Sequence, residues 1–204
     1  MDKHIKCYEL LCLLIAVGTA SCGSGDPRIF GPRYDLKSPI YIAVEDTLTA
    51  DGKGSFPHPN EWRQALQNAI SLAQGRVTQD STAAQRITLY NTDGDECGDR
   101  KTFAFTDPNS WNRIAICHSL IVFNERFFEP LERKQDLMLH ELGHALGGHG
   151  GHIGGDDIPN EECPYRNIMA WNLRCHLGIT SFKGDDLSYV CQSRYTINGI
   201  CAAP

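Results

Sequence analysis

The sequence lacks an excess of basic residues, internal repeats and long apolar segments. Its 204 residues include 19 lysine and arginine residues against 25 aspartate and glutamate residues, which gives a formal net charge of −6. Domains that bind nucleic acid normally present a clustered basic surface, so we expect no nucleic acid among the partners. A hydrophobic fraction of 41% is ordinary for a globular protein and excludes collagen-like or largely disordered chains.

The apolar run near the N-terminus is short. Residues 10–17 (LLCLLIAV) follow Lys3 and Lys6, and as a helix they would cover about 12 Å of a bilayer core that is about 30 Å thick. We therefore predict that residues 1–21 are a secretory signal, removed on export. The small residues before Cys22 resemble a bacterial lipobox. That resemblance implies a lipid on Cys22 and anchorage to the outer membrane or cell surface, with plain secretion as the alternative.

Cysteine usage agrees with export. The chain has nine cysteines, of which Cys7 and Cys12 would leave with the signal. If Cys22 carries lipid, the remaining six form an even set: Cys97, Cys117, Cys163, Cys175, Cys191 and Cys201. Such a set predicts disulfides, for which about 15 pairings are possible, pairing of chain neighbours among them. No CxxC spacing occurs, so a thiolate zinc site is not expected.

The rest of the chain predicts one α+β domain. Residues 22–37 lack periodicity and are expected to form a tether, and the domain is expected to cover 38–204. Hydrophobic periodicity predicts strands and helices in mixed order. The predicted strands are 40–45, 86–90, 102–106, 113–117 and 119–123; the predicted helices are one capped by Asn60 and ending before Gly75, one at 132–147 and one at 182–194.

The residues that carry chemistry are His140, Glu141 and His144, in the sequence HELGH. Residues four apart share one face of a helix, so both imidazoles can reach one metal ion. Glu141 is offset from that face and can act on a water held by the metal without being a ligand. It would take a proton as the water attacks a carbonyl, and return it to the leaving amine.

The motif and its surroundings resemble the metzincin zinc metalloproteases, whose signature is HExxHxxGxxH followed by a methionine turn. His140, Glu141, His144 and Gly147 match, and residues 167–169 (NIM), with Met169, look like the methionine turn. By element order the resemblance to matrixin-like members extends over most of 38–195. It implies a mixed twisted sheet, an active-site helix, a C-terminal helix, and a cleft between about 38–148 and 149–204. It also implies one catalytic zinc ion, with peptide substrate bound extended along an edge strand.

One departure from the signature concerns the third zinc ligand. The expected position is occupied by Gly150, with His149 and His152 on either side. A loop that ends at His149 must turn within one residue, whereas the glycines before His152 allow a longer loop at little entropic cost. We therefore favour His152, with His149 as the alternative, and Asp156 or Asp157 as further candidates.

These residues predict a monomeric zinc-dependent endopeptidase. The alternative from another class is a surface lipoprotein that keeps the scaffold as a binding module and has lost catalysis. A ligand at Glu161 or Glu162, in the gluzincin manner, would need a following helix, which Pro159 and Pro164 disfavour.

A calcium site is a separate, weaker candidate. The acidic loop 93–99 contains Asp93, Asp95, Glu96 and Asp99, whose oxygens are the ligand type that Ca²⁺ takes. The spacing is not that of an EF-hand, so an ordinary acidic surface loop is the competing interpretation.

Overall fold

A computed structural model of the chain describes residues 34–45, 54–98, 102–147, 152, 168–169 and 181–182. The predicted signal, Cys22, His149 and nearly all of the predicted helix at 182–194 lie outside these ranges. Within them, no helix combines the length and apolar character needed to cross a membrane.

The described strands form one mixed five-stranded sheet. They are β1 (Pro39–Glu45), β2 (Arg76–Thr78), β3 (Gln85–Thr92), β4 (Ala104–Thr106) and β5 (Arg113–Cys117). Their order across the sheet is β2-β1-β3-β5-β4, with β4 antiparallel to β5 and the other neighbours parallel. Together with the helices this is a mixed α+β architecture, which confirms the predicted class at that level.

The helices are α1 (Pro59–Leu72), α2 (His118–Phe123), α3 (Glu125–Phe128) and α4 (Leu131–Gly147). The apolar stripe predicted for α1 is buried. The predicted cap is wrong, however: His58 is the N-cap, in the left-handed region with φ 50°, and the helix begins at Pro59. Proline fits the first helical turn because its missing N–H would have no partner there.

The predicted strand at 119–123 is also wrong, since these residues belong to helix α2. A short apolar run such as SLIVF does not distinguish a strand from a helix by periodicity. The carboxylate of Asp93 supports the helix, because it accepts hydrogen bonds from Ser119 N at 2.8 Å and Ser119 Oγ at 2.7 Å, in the first turn of α2. That contact spans 26 positions of the chain. Strand β2, of three residues, was not predicted.

The folded domain begins earlier than predicted. Tyr34 and Leu36, assigned to the tether from sequence, are 2% and 0% exposed and belong to the main hydrophobic core. The Tyr34 hydroxyl lies 3.4 Å from the carbonyl oxygens of both Arg86 and Trp111. The predicted tether over 22–37 therefore overlaps the domain from Tyr34 onward.

A disulfide joins Cys97 to Cys117. It connects a short 3-10 helix (Asp95–Cys97) to the end of β5. These two cysteines are chain neighbours among the six predicted to pair, and the other four lie outside the described residues. Disulfides persist in oxidising compartments, the setting that the predicted signal implies.

Candidate metal centre

Helix α4 carries the candidate site on a buried surface. It packs against α1 and β4, and its Leu139, Leu142 and Leu146 are in the core, as predicted. His140, Glu141 and His144 are 5%, 3% and 6% exposed. Burying polar side chains destabilises the fold unless they have hydrogen-bonding or metal partners. The groups around these three residues therefore indicate their role.

Three histidines converge at one point. His140 Nε2 lies 3.0 Å from His144 Nε2 and 3.3 Å from His152 Nε2. Zinc–nitrogen distances of about 2.0–2.1 Å in a tetrahedral site place two ligand nitrogens roughly 3.3 Å apart. In the part of the chain that the structure describes, these residues are the group arranged to hold a metal ion, and the donor set fits zinc. His152, favoured from sequence, is thus in the cluster, while His149, Asp156 and Asp157 lie outside the described residues.

The ring of His140 is oriented by the turn at residues 168–169. His140 Nδ1 lies 2.6 Å from the carbonyl oxygen of Ile168 and donates the hydrogen bond, since a carbonyl can only accept. That bond fixes the proton on Nδ1 and leaves the Nε2 lone pair directed toward His144 and His152. Histidines that bind a metal through one ring nitrogen typically donate such a hydrogen bond from the other.

Met169 packs against the same helix. It is 0% exposed, and a Cβ atom added at Gly143 would collide with its Sδ and lie 3.0 Å from a ring carbon of Phe182. Glycine at position 143 therefore lets the turn approach α4 closely, and Met169 is a core residue placed beside the histidine-bearing helix.

Glu141 is held from the sheet side of the helix. The hydroxyl of Thr106, in β4, lies 2.9 Å from Glu141 Oε2 and 2.8 Å from the Glu141 carbonyl oxygen. Burial raises the pKa of the Glu141 carboxyl to about 7, and the hydrogen bonds with Thr106 act in the opposite direction. Sequence reasoning missed Thr106; the available signal was a polar residue at a position of the predicted strand 102–106 that alternates with Phe105.

The calcium candidate gains no support from the described residues. The Asp93 carboxylate is engaged by Ser119, and the histidine cluster is the metal-ligand group found there. Asp99 and the side chain of Glu96 lie outside the description. His58 is not part of the histidine cluster; its Nε2 lies 3.7 Å from Glu125 Oε1.

No protein-family model, curated protein or solved structure matches the chain.

Proposed function

We propose that this chain is a zinc-dependent endopeptidase of the metzincin type. The observation that carries the proposal is the convergence of His140, His144 and His152 on one point, with the buried carboxyl of Glu141 on the same helix. Imidazole donors suit zinc, whereas Ca²⁺ and Mg²⁺ take oxygen ligands. Zinc, when bound, supplies a Lewis acid that polarises a carbonyl and lowers the pKa of water toward about 7.

Glu141 has the properties of the general base and acid. It is next to the ligand His140 in sequence but offset around the helix, so its carboxyl is available for proton transfer. Its pKa of about 7 lies near neutral pH, where a group both accepts a proton and gives it up efficiently. In this scheme it takes a proton from the attacking water and passes it to the leaving amine.

Strand β4 is the proposed docking edge for the peptide. It lies at one end of the strand order. On the side that faces β5, the Phe103 carbonyl oxygen accepts a hydrogen bond from Cys117 N, and Asp107 N donates one to the Arg113 carbonyl oxygen. Since backbone groups alternate sides along an antiparallel strand, those of Ala104 and Thr106 point to the open side, where the Thr106 N–H bonds to the Glu141 carboxyl and the others face away from the sheet. An extended peptide would add there through main-chain hydrogen bonds, which tolerate many sequences.

The test is peptide hydrolysis by the zinc-loaded protein and by the Glu141→Gln variant. We expect hydrolysis of an unfolded protein substrate to fall by about 10²- to 10⁴-fold in the variant while bound zinc is retained. Glu132→Gln, an exposed carboxylate on the same helix, is the matched control and should behave as wild type. Zinc-loaded wild type that hydrolyses nothing would contradict the proposal and favour the binding-module alternative.

Export and lipidation of Cys22 remain predictions from the sequence. They concern residues outside the described ranges, and the mass of the mature chain tests them, because a lipid on Cys22 adds a defined increment to it.

A further inference from the structure

We infer that Thr106 is a positioning residue that ties the orientation of Glu141 to the strand on which the peptide docks. The inference rests on the proposed function. It adds a residue outside the HELGH motif to the site and assigns two roles to that residue, one for its side chain and one for its backbone.

The side chain of Thr106 engages Glu141 directly. Thr106 is 7% exposed and Glu141 is 3% exposed, and the hydroxyl is 2.9 Å from Oε2 of the carboxyl. A glutamate side chain has three rotatable torsions, so its carboxyl needs an external contact to hold one direction. The contact joins a strand to a helix across 35 positions of the chain, and both elements are rigid supports for such a group.

The backbone of Thr106 lies at the open edge of the sheet. Thr106 pairs with Ile114 in the ladder between β4 and β5, and the adjacent Asp107 N donates to Arg113 O. Because backbone groups alternate along the strand, the N–H and C=O of Thr106 point to the open edge of the sheet, where the N–H also makes a hydrogen bond to the Glu141 carboxyl. A peptide that pairs with this edge would thus bond to the carbonyl oxygen of Thr106, while the hydroxyl and N–H of Thr106 hold the carboxyl that moves the proton.

This double contact fixes the distance between the docked peptide bond and Glu141. Removing the hydroxyl leaves the backbone unchanged but removes one of the two contacts by which Thr106 holds the carboxyl, so the carboxyl can turn away from the attacking water. The consequence is a lower kcat at constant KM, which is the pattern of an interaction that matters in the transition state and not in ground-state binding. An inactive fraction of protein would also lower the apparent kcat at constant KM, so kcat is calculated per folded, zinc-loaded chain.

The first arm of the test compares Thr106→Val with Thr106→Ser in the zinc-loaded protein. Valine keeps the shape and lacks the hydroxyl, whereas serine keeps the hydroxyl. We expect kcat to fall roughly 10- to 100-fold in the valine variant, as for a small misplacement of a catalytic group, with KM and zinc content unchanged. Serine should restore most of the loss. A valine variant with wild-type kcat, or one altered only in KM, would overturn the inference.

The second arm needs neither zinc nor activity. A double-mutant cycle with Thr106→Val and Glu141→Ala, measured by urea unfolding of the zinc-free protein, isolates the side-chain contact. The Thr106 hydroxyl has one hydrogen, which it shares between Oε2 and the carbonyl oxygen of Glu141, so the cycle reports what the carboxyl adds to the bond with the carbonyl. We expect the effect of Thr106→Val on the unfolding equilibrium constant to be about fivefold smaller once Glu141 is alanine, the size of a net hydrogen bond. Strict additivity would refute the contact, whereas an inactive wild type with non-additive variants would refute only the peptidase.

Discussion

Helices α1 and α4 pack against each other but bury different kinds of residue. The buried residues of α1 are all apolar: Trp62, Ala65, Leu66, Ala69 and Ile70. Helix α4 also buries an apolar set, yet five of its buried residues are polar or charged: Lys134, Asp136, His140, Glu141 and His144. Buried polar groups oppose folding unless they are paired. The buried face of α1 therefore stabilises the fold through apolar contacts alone, whereas α4 also buries the polar groups of the candidate metal centre.

Three of the buried polar groups on α4 have partners on other elements. Lys134 Nζ donates to Glu61 Oε2 on α1 at 2.7 Å and to the carbonyl oxygen of Phe128 at 2.6 Å. Glu141 is held by Thr106 on β4, and His140 by the carbonyl oxygen of Ile168. The site therefore depends on tertiary contacts from distant parts of the chain, whereas the packing of α1 follows from its own apolar stripe.

The largest effect on stability should come from the core side of α1. Leu66 is 0% exposed, and Leu66→Ala should lower the free energy of unfolding by about 2–5 kcal/mol, through lost burial and the cavity left behind. Urea denaturation measures this change. The folded variant should still bind zinc with the wild-type stoichiometry. Loss of zinc from protein that remains folded would contradict the claim that α1 contributes to stability alone.

A smaller effect is expected at Gly143 on α4. Alanine in place of glycine normally stabilises a helix by about 1 kcal/mol, but here the new Cβ would collide with Met169 Sδ. Overpacking costs about 1–3 kcal/mol, so we expect a net loss of up to about 2 kcal/mol in urea unfolding and weaker zinc binding as the turn at 168–169 shifts. A variant more stable than wild type would show that the close approach is not required.

The smallest effect concerns the ion pair that links the two helices. The hydrogen bond from Lys134 is the main cause that lowers the pKa of Glu61, and the Glu61 side chain is 52% exposed. A lowered folded-state pKa gives stability that is present above the unfolded-state pKa and is lost as pH falls through the folded-state value. Glu61→Gln should therefore destabilise the protein by less than about 1 kcal/mol at pH 7. In denaturation series, the difference from wild type should vanish under acidic conditions; a difference independent of pH would contradict the assignment.

Local patterns were sufficient to predict much of the fold. The periodicity of α1 and α4 and the strands β1, β3, β4 and β5 were predicted close to their observed positions, because each has a repeat set by its own apolar residues. The HELGH spacing likewise placed His140 and His144 on one face of a helix. The preference for His152 over His149 followed from the reach of a glycine-rich loop.

The remaining features depend on contacts that a local pattern does not contain. Three hydrogen bonds illustrate this. The Asp93 carboxylate accepts from Ser119 at the start of α2, the Tyr34 hydroxyl lies beside the Trp111 carbonyl oxygen, and the Thr106 hydroxyl bonds to Glu141. Each joins residues far apart in the chain. Strand β2 (RVT) has one apolar residue, Val77, and therefore shows no repeat of apolar positions. These features are visible in the three-dimensional structure and have no signal in the local sequence.

The central claim is that three histidines hold one zinc ion, and metal content tests it most directly. Elemental analysis of the gently purified mature chain should compare wild type with His152→Ala, with His149→Ala to test the other ligand, and with His58→Ala as an exposed control outside the cluster. The account predicts one zinc per chain in wild type, His149→Ala and His58→Ala, and little or none in His152→Ala. Wild type that neither carries nor takes up zinc, or His152→Ala that retains it fully, would contradict the account.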